Sequence, residues 1–106
     1  MTTPATVQRV DALADVRAGD KGDTLIVAVL ARDRAAYRHL EPVLTEDVVA
    51  AHYGELVTGP ARRTVQPNLM AMVFELPGVL GGGVTGSPVL DGHGKTLGYH
   101  LLSLEI

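Results

Sequence analysis

With 106 residues, 46% of them hydrophobic, the chain holds enough apolar material for one modest core and is expected to form a single domain over 1–106. A formal charge of −3, from nine basic and twelve acidic residues mixed along the chain, opposes non-specific attraction to nucleic-acid phosphates, and the arginine pair Arg62-Arg63 does not change that. Cysteine is absent, which excludes a disulfide frame, a thiolate zinc site and a cysteine nucleophile, and fits a reducing cytoplasm.

There is no Trp and one Phe, so aliphatic packing must dominate. The apolar content exceeds what a small, surface-rich body can hide, and a homo-oligomer is expected. Met1 to Thr6 lacks a basic region followed by an apolar stretch, and the longest apolar run, Leu25 to Ala31, is too short to cross a bilayer. Neither secretion nor membrane insertion is expected.

Between Val7 and Val16, apolar Val10, Ala12, Ala14 and Val16 alternate with polar residues, predicting a half-buried strand that Leu13 interrupts. Arg17 to Thr24 combines two glycines with charges and reads as a loop. Leu25 to Ala31 is continuous and β-branched, predicting a strand covered on both faces. Arg32 to Leu40 has helical spacing and is expected to end at Pro42. A second helix starts at the N-cap Thr45, with Glu46 and Asp47 in its first turn and Gly54 as its stop. Pro60 to Gln66 can form a strand, Pro67-Asn68 reads as a turn, and Met70, Met72, Phe74 and Leu76 mark a strand ended by Pro77-Gly78. The glycine-rich remainder predicts turns at Gly81 to Ser87 and Asp91 to Gly94, then a short helix running into a strand-like tail.

Two segments can carry chemistry. In Gly19-Asp20-Lys21-Gly22-Asp23 the glycines permit close backbone approach, Lys21 can pair with an anion, and the aspartates can accept hydrogen bonds or hold a metal. A charged surface turn uses the same residues, and the spacing is not that of a Walker loop. Gly81-Gly82-Gly83-Val84-Thr85-Gly86-Ser87, followed by Asp91 and Lys95, is costly to order and suits either anion binding by exposed amides or a loop that orders against a partner. His39, His52, His93 and His100 form no HxH or HExxH pair, so no metal site is expected; His52 suits packing or an interface, and His93, in a glycine turn, suits either plain exposure or catalysis. Ser87 and Ser103 lie in no GxSxG elbow, and the chain lacks the equipment of a complete enzyme of a familiar kind.

The chain resembles the small ferredoxin-fold domain of the AtuA-like (acyclic terpene utilisation) family. Three blocks in order carry the resemblance: Arg17 to Thr24 leading to Arg32; Pro67-Asn68-Leu69 leading to Phe74; and Leu80 to Thr85 leading to Asp91, Gly94-Lys95 and Leu101-Leu102. The resemblance implies a domain either fused to a larger AtuA-type domain or standing beside it as a separate protein, associated with acyl-CoA or branched-chain and terpenoid acid catabolism. The family pattern leads to asparagine where this chain has Ile26 and Val73, and to arginine where it has Gly86.

Pattern and resemblance together give an α+β, ferredoxin-like two-layer sandwich, with two helices on one face of a mainly antiparallel sheet of four or five strands. The expected function is that of a small subunit or accessory domain of an AtuA-like enzyme assembly in acyl-CoA or small organic acid metabolism, working in the cytoplasm beside a larger AtuA-like subunit. A stand-alone oligomeric hydratase or lyase and a non-catalytic scaffold are the alternatives. Asp20, Lys21 and Asp23 are the candidate catalytic residues. Gly19, Gly22, Asn68, Gly81, Gly82, Gly83, Thr85, Ser87, Asp91 and Lys95 are candidate ligand or interface positions, on the expectation that the three blocks converge at one sheet edge. No cofactor is expected, with acyl-CoA as a candidate substrate.

Overall fold

The computed structural model describes residues 8–80 and 97–106. A one-turn helix, α1 (Val10–Leu13), leads into an antiparallel hairpin of β1 (Ala14–Lys21) and β2 (Thr24–Ala31). Helices α2 (Arg34–Val43) and α3 (Glu46–Tyr53) follow, then a second antiparallel hairpin of β3 (Arg62–Gln66) and β4 (Ala71–Leu76). Residues 97–100 are helical and run into a 3-10 turn, Leu101–Ser103. The sheet order is β1-β2-β4-β3, and every neighbouring pair is antiparallel. This is the expected two-layer α+β sandwich, with four strands. No helix among the described residues is long and apolar enough to cross a membrane.

Strand alternation decides which face is buried. Val16, Leu25, Val27, Val29, Met72, Phe74 and Leu76 turn to one side and join Tyr37, Leu40, Leu44, Val49 and Tyr53 of the two longer helices in a single core. Each helix is started by a side-chain cap: Asp33 accepts from the Ala36 N–H at 2.8 Å, and Thr45 from the Val48 N–H at 3.3 Å. Gly54, at φ 61°, ends α3 as its sequence implies. The C-terminal segment closes the core with Leu101, and its tail pairs with the entering chain through Val10 N–H to Leu104 O (2.9 Å) and Ile106 N–H to Gln8 O (2.8 Å). The expected helix with a strand-like tail is therefore present at residues 97–106.

Several expectations are corrected. The first strand begins at Ala14, not near Val7, because Val10 to Leu13 close a helical turn in which the Ala14 N–H bonds Val10 O. Arg17 to Lys21, expected as loop, is strand: the hairpin runs beyond the core, so its outer end can be charged and still fully paired with β2. Only Gly22 and Asp23 form the turn. Positive φ at Gly22 (65°), and not at Asp23, is the pattern of a type II′ hairpin. β2 is buried on one face only; Ile26, Ala28 and Leu30 on the other are half-buried and stand outside the core cluster. Pro42 lies inside α2, in its last turn, where one missing N–H is tolerated and the Leu44 N–H still bonds Leu40 O at 2.7 Å.

Arg63 accounts for much of the joint between the layers. Its guanidinium Nη1 donates to the carbonyls of Glu41 (2.7 Å) and Leu44 (2.8 Å) at the C-terminus of α2, and its backbone N–H donates to Glu46 Oε2 at 2.7 Å. A cation here meets the negative end of the helix dipole and satisfies carbonyls the helix leaves unpaired. Across the molecule, the Thr58 N–H bonds Pro77 O at 2.9 Å and brings its side chain over Gly78, which has φ 83°.

One buried polar atom has no partner among the described residues: the hydroxyl of Tyr37, a side chain 3% exposed. Burial, with a contribution from the Glu41 charge, holds this phenol above its ordinary pKa. Because removing an unpaired buried hydroxyl forfeits no hydrogen bond, Tyr37→Phe is expected to leave unfolding free energy unchanged or raise it by about 1 kcal/mol. Urea denaturation checks this; a loss beyond about 1 kcal/mol means the hydroxyl has a partner.

Candidate functional site

Gly19, Asp20, Lys21, Gly22 and Asp23 form the outer end of the β1-β2 hairpin, and all are exposed. Among the described residues no ion pair engages Asp20, Lys21 or Asp23; the recorded bridge is Arg32 to Asp15, 3.6 Å apart and exposed. The tip is tied to the rest of the chain at one point: the Leu80 N–H donates to Asp23 O at 3.1 Å. Leu80 directly precedes Gly81 in sequence, so the chain leaves for the glycine segment from beside the Lys21 turn. Gly81, Gly82, Gly83, Thr85, Ser87, Asp91 and Lys95 themselves lie outside the described residues, as do Gly86 and His93.

Asn68 does not join the tip. It sits in the 3-10 turn Pro67–Leu69 between β3 and β4, at the end of the sheet where Ala71 pairs with Leu30 and Gln66. The Lys21 turn is at the other end, where Leu25 pairs with Leu76. Five residue steps of strand separate the two levels, about 17 Å. The second sequence block therefore does not converge with the first, because a β-hairpin places its turn a full strand length away from the opposite sheet end.

Ile26 and Val73, the two positions where the family pattern leads to asparagine, do come together. They lie on the sheet face turned away from α2 and α3, on adjacent strands, with Ile26 opposite Glu75 and Val73 opposite Ala28. With Ala28 and Leu30 they make an apolar strip, flanked by Arg17 on β1, Arg62 on β3 and Glu75 on β4. All four apolar side chains are half-buried and outside the core cluster.

A second constellation has no sequence signal. His52 of α3 and His100 of the C-terminal segment stack with ring centroids 4.1 Å apart and planes 17° from parallel. His52 Nε2 lies 2.8 Å from His100 O, and Tyr53 donates its hydroxyl to Leu97 O at 2.6 Å. Burial raises the Tyr53 pKa well above its ordinary value, so this phenol remains a donor across the usual pH range. These residues are 48 positions apart, and only the fold reveals their contact. Their role here is to fasten α3 to the C-terminal segment; no group of three or more His, Asp or Glu side chains suited to a metal occurs among the described residues.

An exposed lysine between two aspartates at a hairpin tip can bind an anionic group, and the apolar face beside it can dock a protein surface. The four-stranded antiparallel sheet with two helices against one face is that of a small α+β domain. The chain belongs to the AtuA ferredoxin-like domain family, whose model matches residues 8–106. No curated protein and no solved structure matches the chain.

Proposed function

We propose that the chain is the small subunit or accessory domain of an AtuA-like enzyme assembly, acting in the cytoplasm on acyl-CoA or small organic acid substrates. The observation that carries this reading is the apolar strip of Ile26, Ala28, Leu30 and Val73 on the sheet face turned away from α2 and α3, which a larger AtuA-like subunit would cover. Family membership supports that choice of partner. The hairpin tip rises at one end of the strip, so docking there would bring Lys21, Asp20 and Asp23 to the margin of the joint surface. Lys21 then contributes an ammonium for a substrate carboxylate or phosphate, and the aspartates contribute acceptors or proton-transfer groups.

Affinity capture from native lysate tests the docking. A larger AtuA-like protein is expected to co-purify with the tagged chain, and Val73→Glu, which places a charge in the apolar strip, is expected to lose it. Recovery of no such protein ends the reading. In the reconstituted assembly Lys21→Ala is expected to leave docking intact and lower kcat/KM by about 10- to 100-fold, the loss of one hydrogen bond from a charged donor. Unchanged kinetics remove Lys21 from the site.

A further inference from the structure

We propose that the stacked pair His52 and His100 is an acid-sensitive clasp, holding the C-terminal segment against α3 while at most one ring is charged and releasing it once both are. The rings join elements 48 positions apart. Both can exchange protons with water, since His100 is exposed and His52 half-buried.

The hydrogen bonds fix where the protons sit. His52 Nε2 lies 2.8 Å from the carbonyl oxygen of His100, and His100 Nε2 lies 3.4 Å from that of His52. A carbonyl only accepts, so each Nε2 carries hydrogen and each neutral ring keeps its lone pair on Nδ1. A proton taken up on acidification therefore goes to Nδ1, leaving the bonds in place and charging the ring. The first such charge is favoured, because His52 stands in the last turn of α3, where backbone carbonyls attract a cation. The second is opposed by the first, across a stack with centroids 4.1 Å apart and planes 17° from parallel.

Among the described residues nothing around the pair offsets that repulsion. Tyr53 stands edge-on to both rings, at 5.7 and 5.3 Å, and its phenol stays neutral while donating to Leu97 O. The carboxylates on the elements that carry or touch the rings are Glu46 and Asp47 in the first turn of α3, Glu55 just beyond it, Glu105 after His100, and Asp11 and Asp15 on α1 and β1, against which Leu101–Ser103 packs. None makes an ion pair with either imidazole. Arg17, which shares a concavity with Tyr99, has the wrong sign to help. In the released segment each imidazole titrates without the other, so the open state binds the second proton more readily than the closed one. Release therefore gains population as pH falls below about 6.5. What opens with it is a seat in the core: Leu101 is fully buried, and Ser103 Oγ donates at 2.7 Å to the same His100 carbonyl that His52 holds. These contacts lie apart from the apolar strip and the hairpin tip, and the clasp stands independently of the larger subunit.

Amide hydrogen exchange on the full chain, corrected for its intrinsic pH dependence and read against the β2 and β4 amides of the same molecule, tests the proposal. Between about pH 7.5 and about pH 5, protection over residues 97–106 is expected to fall roughly 10-fold further than in the two central strands, and by less at high salt, which screens exposed charges. His100→Phe keeps a flat ring on the stack but takes up no proton, and is expected to hold its protection at the acidic end. His52→Gln, which keeps a donor for the His100 carbonyl, is expected to do the same. Circular dichroism at neutral pH confirms that each variant is folded. A wild-type segment that loses no more protection than β2 and β4, or a loss that persists in either variant, overturns the proposal.

Discussion

Replacing Arg63 with alanine is expected to lower unfolding free energy by about 3 kcal/mol, a value set by the loss of two hydrogen bonds from a charged donor. Glu41 O and Leu44 O, at the end of α2, lose the guanidinium that lies 2.7 and 2.8 Å away. The same helix end already lacks one N–H at Pro42, so little remains within it to hold the last turn. The guanidinium also meets Met72, with Nη1 3.7 Å from the sulfur, and truncating the whole side chain opens the seam between β3 and α2. Arg63→Met, which keeps the stem, is expected to recover only the packing part, and Arg63→Lys to fall between, since it retains charge at the helix C-terminus without the planar fork. Urea denaturation orders the variants. If Arg63→Ala costs under about 1 kcal/mol, the cation is solvated and the joint is apolar.

Gly78→Ala is expected to destabilise by a similar amount, about 3 kcal/mol, through two separable effects. At φ 83° an alanine is strained whatever surrounds it. A Cβ there would also come within 2.9 Å of Thr58 Cβ and 3.0 Å of its Cγ2, with the Thr58 hydroxyl closer still. Thr58 is held in place by its own N–H bond to Pro77 O, so relief requires moving the loop. A double-mutant cycle separates the parts: Thr58→Gly in the Gly78→Ala background is expected to remove the clash and leave about 1 kcal/mol from the backbone. Additive losses in that cycle would locate the whole effect in φ.

Much of the fold is legible wherever a local rule and the tertiary environment agree. Met72, Phe74 and Leu76 alternate and are buried; Thr45, the acidic first turn and Gly54 bound α3 where their chemistry places them. The misreadings come from segments where composition and environment part. Arg17 to Lys21 looks like loop because its residues are charged and small, yet as an edge strand that overshoots the core it needs no apolar alternation beyond Ala18. Pro42 looks like a terminator, but it stands where the helix is already short of partners and Arg63 supplies them from β3. At the site, Asp20 to Asp23 stands out as a compact local motif, although Asp20 and Lys21 end a strand and only Gly22 and Asp23 turn. Sequence order alone gave no means of knowing that Asn68 would lie at the far end of the sheet, or that His52 and His100 would stack, because both depend on strand register and helix placement across the core.

The pairing of Gln8 with Ile106 and of Arg9 with Glu105 makes one clasp out of the two flanks of this domain. Unzipping either flank uncovers Val10 and Leu101 together, so fraying at one side propagates to the other. A neighbouring polypeptide joined ahead of residue 8 or behind residue 106 would emerge from the same corner of the body, at the Ala14 end of β1 and a full strand length from the Lys21 turn.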